Sequence, residues 1–270
     1  PANGTTLYFQ ANGGNTLHGK ELWKSDGTAS GTVMVKDIRS GPASSNPSHL
    51  TMVGSTLFFS AQDGTSTKLW KSDGTTLGTV VVDDTNPYHL TAIGNTLFFV
   101  NSSDGELWKS DGTSDGTLCV KVLRTPGYAH TYPEDLTPIG DTLYFSAYTQ
   151  GLHRELWKTD GTESGTVNVH NFNHTGNPTH LTVVGTTLYF EADDYSSAIP
   201  TPTVGIELFA LDPANVVLNT PPPVSWDIHP ELPEGMSLVN GVISGTPTVY
   251  AINQTYTIFA NQSGDTTTLD

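Results

Sequence analysis

Residues 20–37, KELWKSDGTASGTVMVKD, decide the fold. Nearly the same string returns as TKLWKSDGTTLGTVVVDD at 67–84, GELWKSDGTSDGTLCVKV at 105–122 and RELWKTDGTESGTVNVHN at 154–171. The Leu-Trp and the Asp-Gly-Thr are kept while the residues between them vary, as expected of a structural unit rather than of one active site. Neighbouring residues on a strand point to opposite faces, so Leu and Trp side by side need a sheet buried on both faces. The Asp-Gly that follows supplies a tight turn: Gly accepts positive φ and Asp bonds nearby amides. Asp26, Asp73, Asp111 and Asp160 are therefore read as turn residues, with a Ca²⁺ ion in each loop as the alternative. The oxygens in one such loop fall short of the six to eight that Ca²⁺ takes.

Outward from that string the repeat has a fixed order. An apolar segment such as LTMVG leads, then STLFFSAQDG, then KLWKSDG and finally GTVVV. The TLYF or TLFF starts at Thr6, Thr56, Thr96, Thr142 and Thr187 are 50, 40, 46 and 45 residues apart. That spacing fits one four-stranded propeller blade. No segment shows a helical period, and Gly, Asp and Asn punctuate short β-rich runs. The expected architecture is all-β, a propeller of about five four-stranded blades over residues 1–219. Trp23, Trp70, Trp108 and Trp157 are expected to pack between adjacent blades. The first copy is expected to lack its inner strand. Either a later segment such as PPVSWDI closes the ring, or repeats ahead of residue 1 do so.

Composition narrows the function. The 270 residues carry a formal charge of −16, with 27 acidic against 11 basic side chains, which disfavours nucleic acid and anionic lipid. No apolar run is long enough to span a membrane, and no basic, apolar leader opens the chain. A start at Pro1 is read as a processed or trimmed terminus. Cys119 is the single cysteine, so no disulfide forms within the chain, and it is read as a small apolar strand residue.

The repeat resembles the ELWxxDGT family of large prokaryotic surface and secreted proteins over roughly residues 6 to 219. The resemblance rests on Glu21-Leu22-Trp23 with Asp26-Gly27-Thr28, and on Leu69-Trp70 with Asp73-Gly74-Thr75. Glu106-Leu107-Trp108 with Asp111-Gly112-Thr113 and Glu155-Leu156-Trp157 with Asp160-Gly161-Thr162 complete it. Lys68 replaces one Glu, and the last copy reads Glu207-Leu208-Phe209 without the turn signature. The resemblance implies a β-propeller and no defined chemistry. Beyond the prolines Pro221 to Pro223, a stiff linker, residues 220–270 resemble an immunoglobulin-like module of prokaryotic surface proteins. Leu232-Pro233, Gly235, Ser237-Leu238, Gly241, Ile243-Ser244-Gly245-Thr246-Pro247-Thr248 and Thr255-Tyr256-Thr257-Ile258 carry that likeness. At about fifty residues it is short of a full sandwich, and a partial β-sandwich segment is expected.

The candidate site is the start of each inner strand: NPSHLT, NPYHLT, YPEDLT and NPTHLT. His49, His89, Asp135 and His180 hold equivalent positions, so the repeat arranges them around one mouth of the channel, where they could bind a small ligand. Direct coordination of a metal such as Zn²⁺ and a merely repeated turn residue are the alternatives. The acidic loops with Asp83, Asp84, Asp193 and Asp194 are candidates for surface Ca²⁺, with solvated charge as the alternative; no other cofactor is expected. Asn3, Asn101, Asn173, Asn253 and Asn261 stand in glycosylation sequons. The functional expectation is an extracellular or cell-surface prokaryotic protein of structural, adhesive or assembly role, without catalysis. Its partners would be surface proteins, glycans or other copies joined through exposed strand edges. A carbohydrate-binding propeller is the second reading and a propeller glycoside hydrolase or lyase the third.

Overall fold

The computed structural model describes residues 1–14, 17–123, 130–149, 153–170, 176–193, 206–211, 213, 218–219, 225–229, 236–239, 242–245, 257–262 and 265–269. Every regular element among them is a strand. The first sheet is β1 (Ala2–Asn3), β2 (Thr6–Asn12), β3 (Lys20–Ser25) and β4 (Val33–Lys36). The second is β5 (Ser48–Val53), β6 (Thr56–Gln62), β7 (Thr67–Ser72) and β8 (Val80–Asp83). The third is β9 (Pro87–Ile93), β10 (Thr96–Asn101), β11 (Glu106–Ser110) and β12 (Leu118–Cys119). The fourth is β13 (Glu134–Ile139), β14 (Thr142–Thr149), β15 (His153–Thr159) and β16 (Val167–His170). A fifth comprises β17 (Thr179–Val184), β18 (Thr187–Asp193), β19 (Ile206–Leu211) and β20 (Leu218–Asn219). The strands of each sheet are ordered as in the sequence, and each pairs antiparallel with the next where the register is resolved. The expectation that the first copy has no inner strand is corrected. Ala2 and Asn3 pair with Leu7 and Thr6, because two residues suffice to continue the ladder.

The chain divides into two compact units, residues 1–207 and 208–270, with the division inside β19. Within the second unit, β21 (Ser225–His229), β24 (Thr257–Gln262) and β25 (Asp265–Leu269) form one antiparallel sheet. A separate hairpin joins β22 (Met236–Val239) to β23 (Val242–Gly245).

The repeated Leu-Trp works as its alternation requires. Where two sheets meet, the trailing face of one packs on the leading face of the next. Tyr8, Leu22 and Val35 on the trailing face of the first sheet pack against Leu57, Phe59, Ala61 and Trp70 on the leading face of the second. Phe58, Leu69 and Val82 then meet Leu97, Phe99 and Trp108, and Phe98, Leu107 and Val120 meet Leu143, Phe145 and Trp157. Phe59, Phe99 and Phe145 are fully buried, each opposite the Trp of its own sheet. Burying one such side chain contributes about 1.5–3 kcal/mol.

Polar contacts recur at the same junctions. The lysine after each Trp reaches the glycine carbonyl of the next sheet's Asp-Gly turn: Lys24 to Gly74, Lys71 to Gly112 and Lys109 to Gly161, at 2.7–2.8 Å. Each turn is tied internally. Asp73 Oδ1 accepts from the amide and hydroxyl of Thr75, and the Thr75 hydroxyl accepts from the Gly78 amide. These bonds hold the carboxyl groups of Asp26, Asp73, Asp111 and Asp160 below the usual aspartate range, the threonine hydroxyl being the largest cause. The turn reading of all four thus stands on geometry.

The glutamate before Leu-Trp has a role that sequence reasoning missed. Glu21 is fully buried and accepts from the Ile38 and Ser45 amides and the Ser45 hydroxyl, tying down the connection between β4 and β5. Glu106 does the same for its own connection, through the Leu123 amide and the Thr131 hydroxyl. The connection from β8 to β9 spans only residues 84–86. There Lys68 stands in place of glutamate and pairs with Asp63 and Asp84.

Candidate functional site

The four innermost strands β5, β9, β13 and β17 lie against one another in that order. Each carries a bulge near its start. On β5, Ser48 pairs with Ser60 and Thr51 with Phe58, so the inner strand holds one residue more than its partner. The register shifts likewise on β9, β13 and β17. A bulge needs a residue of unusual backbone conformation, and here it is the candidate residue itself. His49, His89, Asp135 and His180 have φ of 52°, 50°, 53° and 57°. His and Asp are among the few side chains found in this left-handed region, which is one reason the repeat keeps these types there.

The threonine two residues on pins the bulge. Thr51, Thr137 and Thr182 donate to the carbonyls of His49, Asp135 and His180 at 3.1, 2.8 and 2.9 Å. The Thr51 and Thr137 hydroxyls also approach the carbonyls of Leu90 and Leu181 on the next inner strand, at 3.4 and 3.2 Å. Thr91 repeats this with Leu136 at 3.5 Å. The motif His/Asp-Leu-Thr therefore both shapes each bulge and registers one inner strand on the next.

The result is a cavity of about 460 Å³ walled by His49, His89 and Asp135 with Leu50, Leu90, Leu136, Leu181 and the threonines. His180 does not line this cavity but adjoins it, its amide donating to Asp135 Oδ2 at 2.7 Å. Its Nδ1 lies 3.2 Å from Glu191 Oε2. Partial burial, and then the neighbouring His89, hold the His49 imidazole below the ordinary histidine range. A ring kept neutral in this way can accept a hydrogen bond at pH 7. The His89 ring packs on Tyr88, with centroids 4.9 Å apart. The mouth thus combines imidazoles, a carboxylate and an apolar lining of leucines, a mixture suited to a polar ligand with an apolar part.

The remaining candidates are placed differently. Among the described residues no group of three or more His, Cys, Asp or Glu is arranged to hold a metal ion. Asp83 Oδ1 accepts from the Thr85 amide, and Asp84 pairs with Lys68 at 2.9 Å. The Asp193 side chain and the whole of Asp194 lie outside the described residues. Asn101 is buried, and its amide oxygen accepts from the Asn86 and Ser103 amides, so the side chain of that sequon is not open at the surface. Asn173 and Asn253, and the side chains of Asn3 and Asn261, lie outside the described residues. No helix among the described residues is long and apolar enough to cross a membrane.

An all-β chain of successive four-stranded antiparallel sheets with a polar mouth on its inner strands has a propeller-like fold. No family model matches the chain, and no curated protein does. Solved structures do. Prolyl oligopeptidase B from Galerina marginata, bound to a 35mer hydrolysis and macrocyclization substrate, is similar at a TM-score of 0.54 and 12% identity. That match covers 88% of this chain and 37% of that one. A puromycin hydrolase matches at 0.48 and 16%, covering 74% and 32%. A TolB-type protein from Agrobacterium tumefaciens matches at 0.40 and 14%, covering 79% and 76%. The chain thus spans about a third of the length of the two hydrolases. At these identities the likeness is one of fold. It still corrects the expectation of a non-catalytic surface protein, with a lectin as second reading, which rested on the tandem repeats, the acidic composition, the lack of a catalytic motif and the companion module, because a peptidase shares this fold.

Proposed function

We propose that the chain is the β-propeller module of a hydrolase, built of five blades of the ELWxxDGT type, and that the mouth on its inner strands meets a peptide substrate. The observation that carries this reading is the placement of His49, His89 and Asp135, all left-handed, around one cavity, with the left-handed His180 bonded through its amide to Asp135 at the edge of it. It is supported by the likeness to prolyl oligopeptidase B, whose structure holds a peptide substrate. An extended peptide offers one amide donor and one carbonyl acceptor per residue. The neutral His49 imidazole and the Asp135 carboxylate accept from such amides, while a second imidazole donates to a carbonyl. Leu50, Leu90, Leu136 and Leu181 take the apolar side chains between them. The role assigned to the module is binding and admission of substrate, not the bond-breaking step.

Fluorescence anisotropy of a labelled extended peptide tests this directly. Saturable binding is expected, weakened at least about tenfold, or by 1.4 kcal/mol, in the double variant His49→Ala and His89→Ala. The variant His18→Gln, whose ring bonds Asp37 away from the mouth, serves as the control. Absence of saturable binding, or equal binding by all three proteins, refutes the reading.

A further inference from the structure

The three junctions that repeat this packing show what a leading face looks like when a blade is seated on it, and the first sheet's leading face departs from that pattern at its leucine, its phenylalanine and the threonine and glycine of its turn. Leu57, Leu97, Leu143 and Leu188 are each fully buried, yet their counterpart Leu7 is 51% exposed. Phe59, Phe99 and Phe145 have no exposed surface, whereas Phe9 is half-buried. Thr79, Thr117 and Thr166 are buried in their turns, while Thr32 is exposed. Gly74, Gly112 and Gly161 are buried beneath Tyr8, Phe58 and Phe98 of the preceding sheet. Gly27 is exposed, with nothing within 4 Å of where its Cβ would stand.

The chemistry of the missing neighbour can be read from the same comparison. At the second, third and fourth sheets an aromatic ring from the preceding sheet covers the turn glycine, and a lysine from that sheet donates to the glycine carbonyl. Those lysines also help to lower the carboxyl groups of Asp73, Asp111 and Asp160. For Asp26 the lowering comes from Thr28 and its own backbone. A sheet that merely capped a repeat array would carry polar residues on its outer face. This one keeps Leu7, Phe9 and Trp23, the residue types that the buried leading faces use. An aliphatic and aromatic face left in water is a binding surface awaiting its partner.

We propose that the leading face of the first sheet is a docking surface for one further four-stranded blade of this repeat, carrying an aromatic residue on its second strand and a lysine after the tryptophan of its third. The contact continues a junction already made three times in the molecule. Its apolar centre is Leu7 and Phe9, and its polar anchor is the Gly27 carbonyl beside the Asp26 carboxylate. It differs from pairing through strand edges, because sheet faces meet and the backbone ladder of the first sheet is left unchanged.

The test keeps the full chain and supplies the occupant. A copy of residues 48–86, which brings the counterparts of Phe58 and Lys71, is joined ahead of Pro1, and amide hydrogen exchange is followed in residues 6–9 and 25–32. Exchange there is expected to slow at least about tenfold, toward that of residues 56–59 and 72–79. Replacing the appended copy's lysine with alanine is expected to remove part of the gain. A second fusion carrying a copy of residues 134–178 supplies the same chemistry through Tyr144 and Lys158 and guards against misfolding of the first. Unchanged exchange in both fusions overturns the proposal. So does light scattering that shows the unfused chain to be a dimer already protected in these segments, since the surface would then belong to a second copy.

Discussion

Two glycines with the same backbone and different surroundings separate turn strain from junction packing. Gly27 and Gly112 both have φ of 91°, in Asp-Gly turns of the same sequence. An L-residue in the left-handed region costs roughly 1–2 kcal/mol, so alanine at either position loses that much. At Gly27 nothing else is within 4 Å, and the loss ends there. At Gly112 the new Cβ would stand 3.1 Å from Phe58 Cζ and 3.8 Å from Lys71 Cδ, in a buried junction. Overpacking of this kind adds about 1–3 kcal/mol. Gly27→Ala is therefore expected to cost about 1–2 kcal/mol and Gly112→Ala about 2–5 kcal/mol. Urea unfolding at unchanged slope measures both. Gly161→Ala, with Phe98 Cζ again at 3.1 Å, should repeat the larger value. Equal losses at Gly27 and Gly112, within about 0.5 kcal/mol, would refute the claim that the preceding sheet's aromatic ring closes over the turn.

Two further predictions concern charge. Glu21→Ala leaves two buried amides and a hydroxyl without their acceptor; at about 1–3 kcal/mol for each unpaired group, the loss should reach several kcal/mol. Lys68→Ala, at the equivalent position but paired nearer the surface, should cost under about 1 kcal/mol, and similar losses for the two would contradict the assigned roles. For His49, proton NMR should give a titration midpoint below the ordinary 6.5. Because its folded pKa is depressed, its contribution to stability is full above the unfolded value and is lost as pH falls from there through the folded value. His89→Gln should raise the midpoint only part of the way, since burial, the larger cause, remains; a midpoint at or above 6.5 in the parent chain would contradict the placement of His49.

Much of the architecture is legible in the string at residues 20–37. Leu22 beside Trp23 demands two buried faces, and Asp26-Gly27-Thr28 demands a turn, because both are local consequences of strand alternation and backbone geometry. The equivalence of His49, His89, Asp135 and His180 is legible too, since a repeat places equivalent residues equivalently. The purpose of Glu21 was not, because its partners Ile38 and Ser45 are 17 and 24 residues away, in a connection of no recognisable pattern. Lys68 shows the same limit from the other side: its departure from glutamate was visible, but its reason lies in the short connection to β9.

By itself the sequence determined an all-β chain of repeated four-stranded units, because period, alternation and turn chemistry are properties of neighbouring residues. Tertiary structure decided which positions do what. Only the bulged inner strands, laid side by side and joined by threonine hydroxyls, turn three scattered left-handed residues into one mouth, with His180 at its edge. Only the packing of sheet on sheet separates Leu57, sealed at a junction, from Leu7, the same residue type in the same repeat position and open to water. The physical reason is that burial depends on what a neighbouring sheet supplies, and a strand's own residues do not encode whether that neighbour is present.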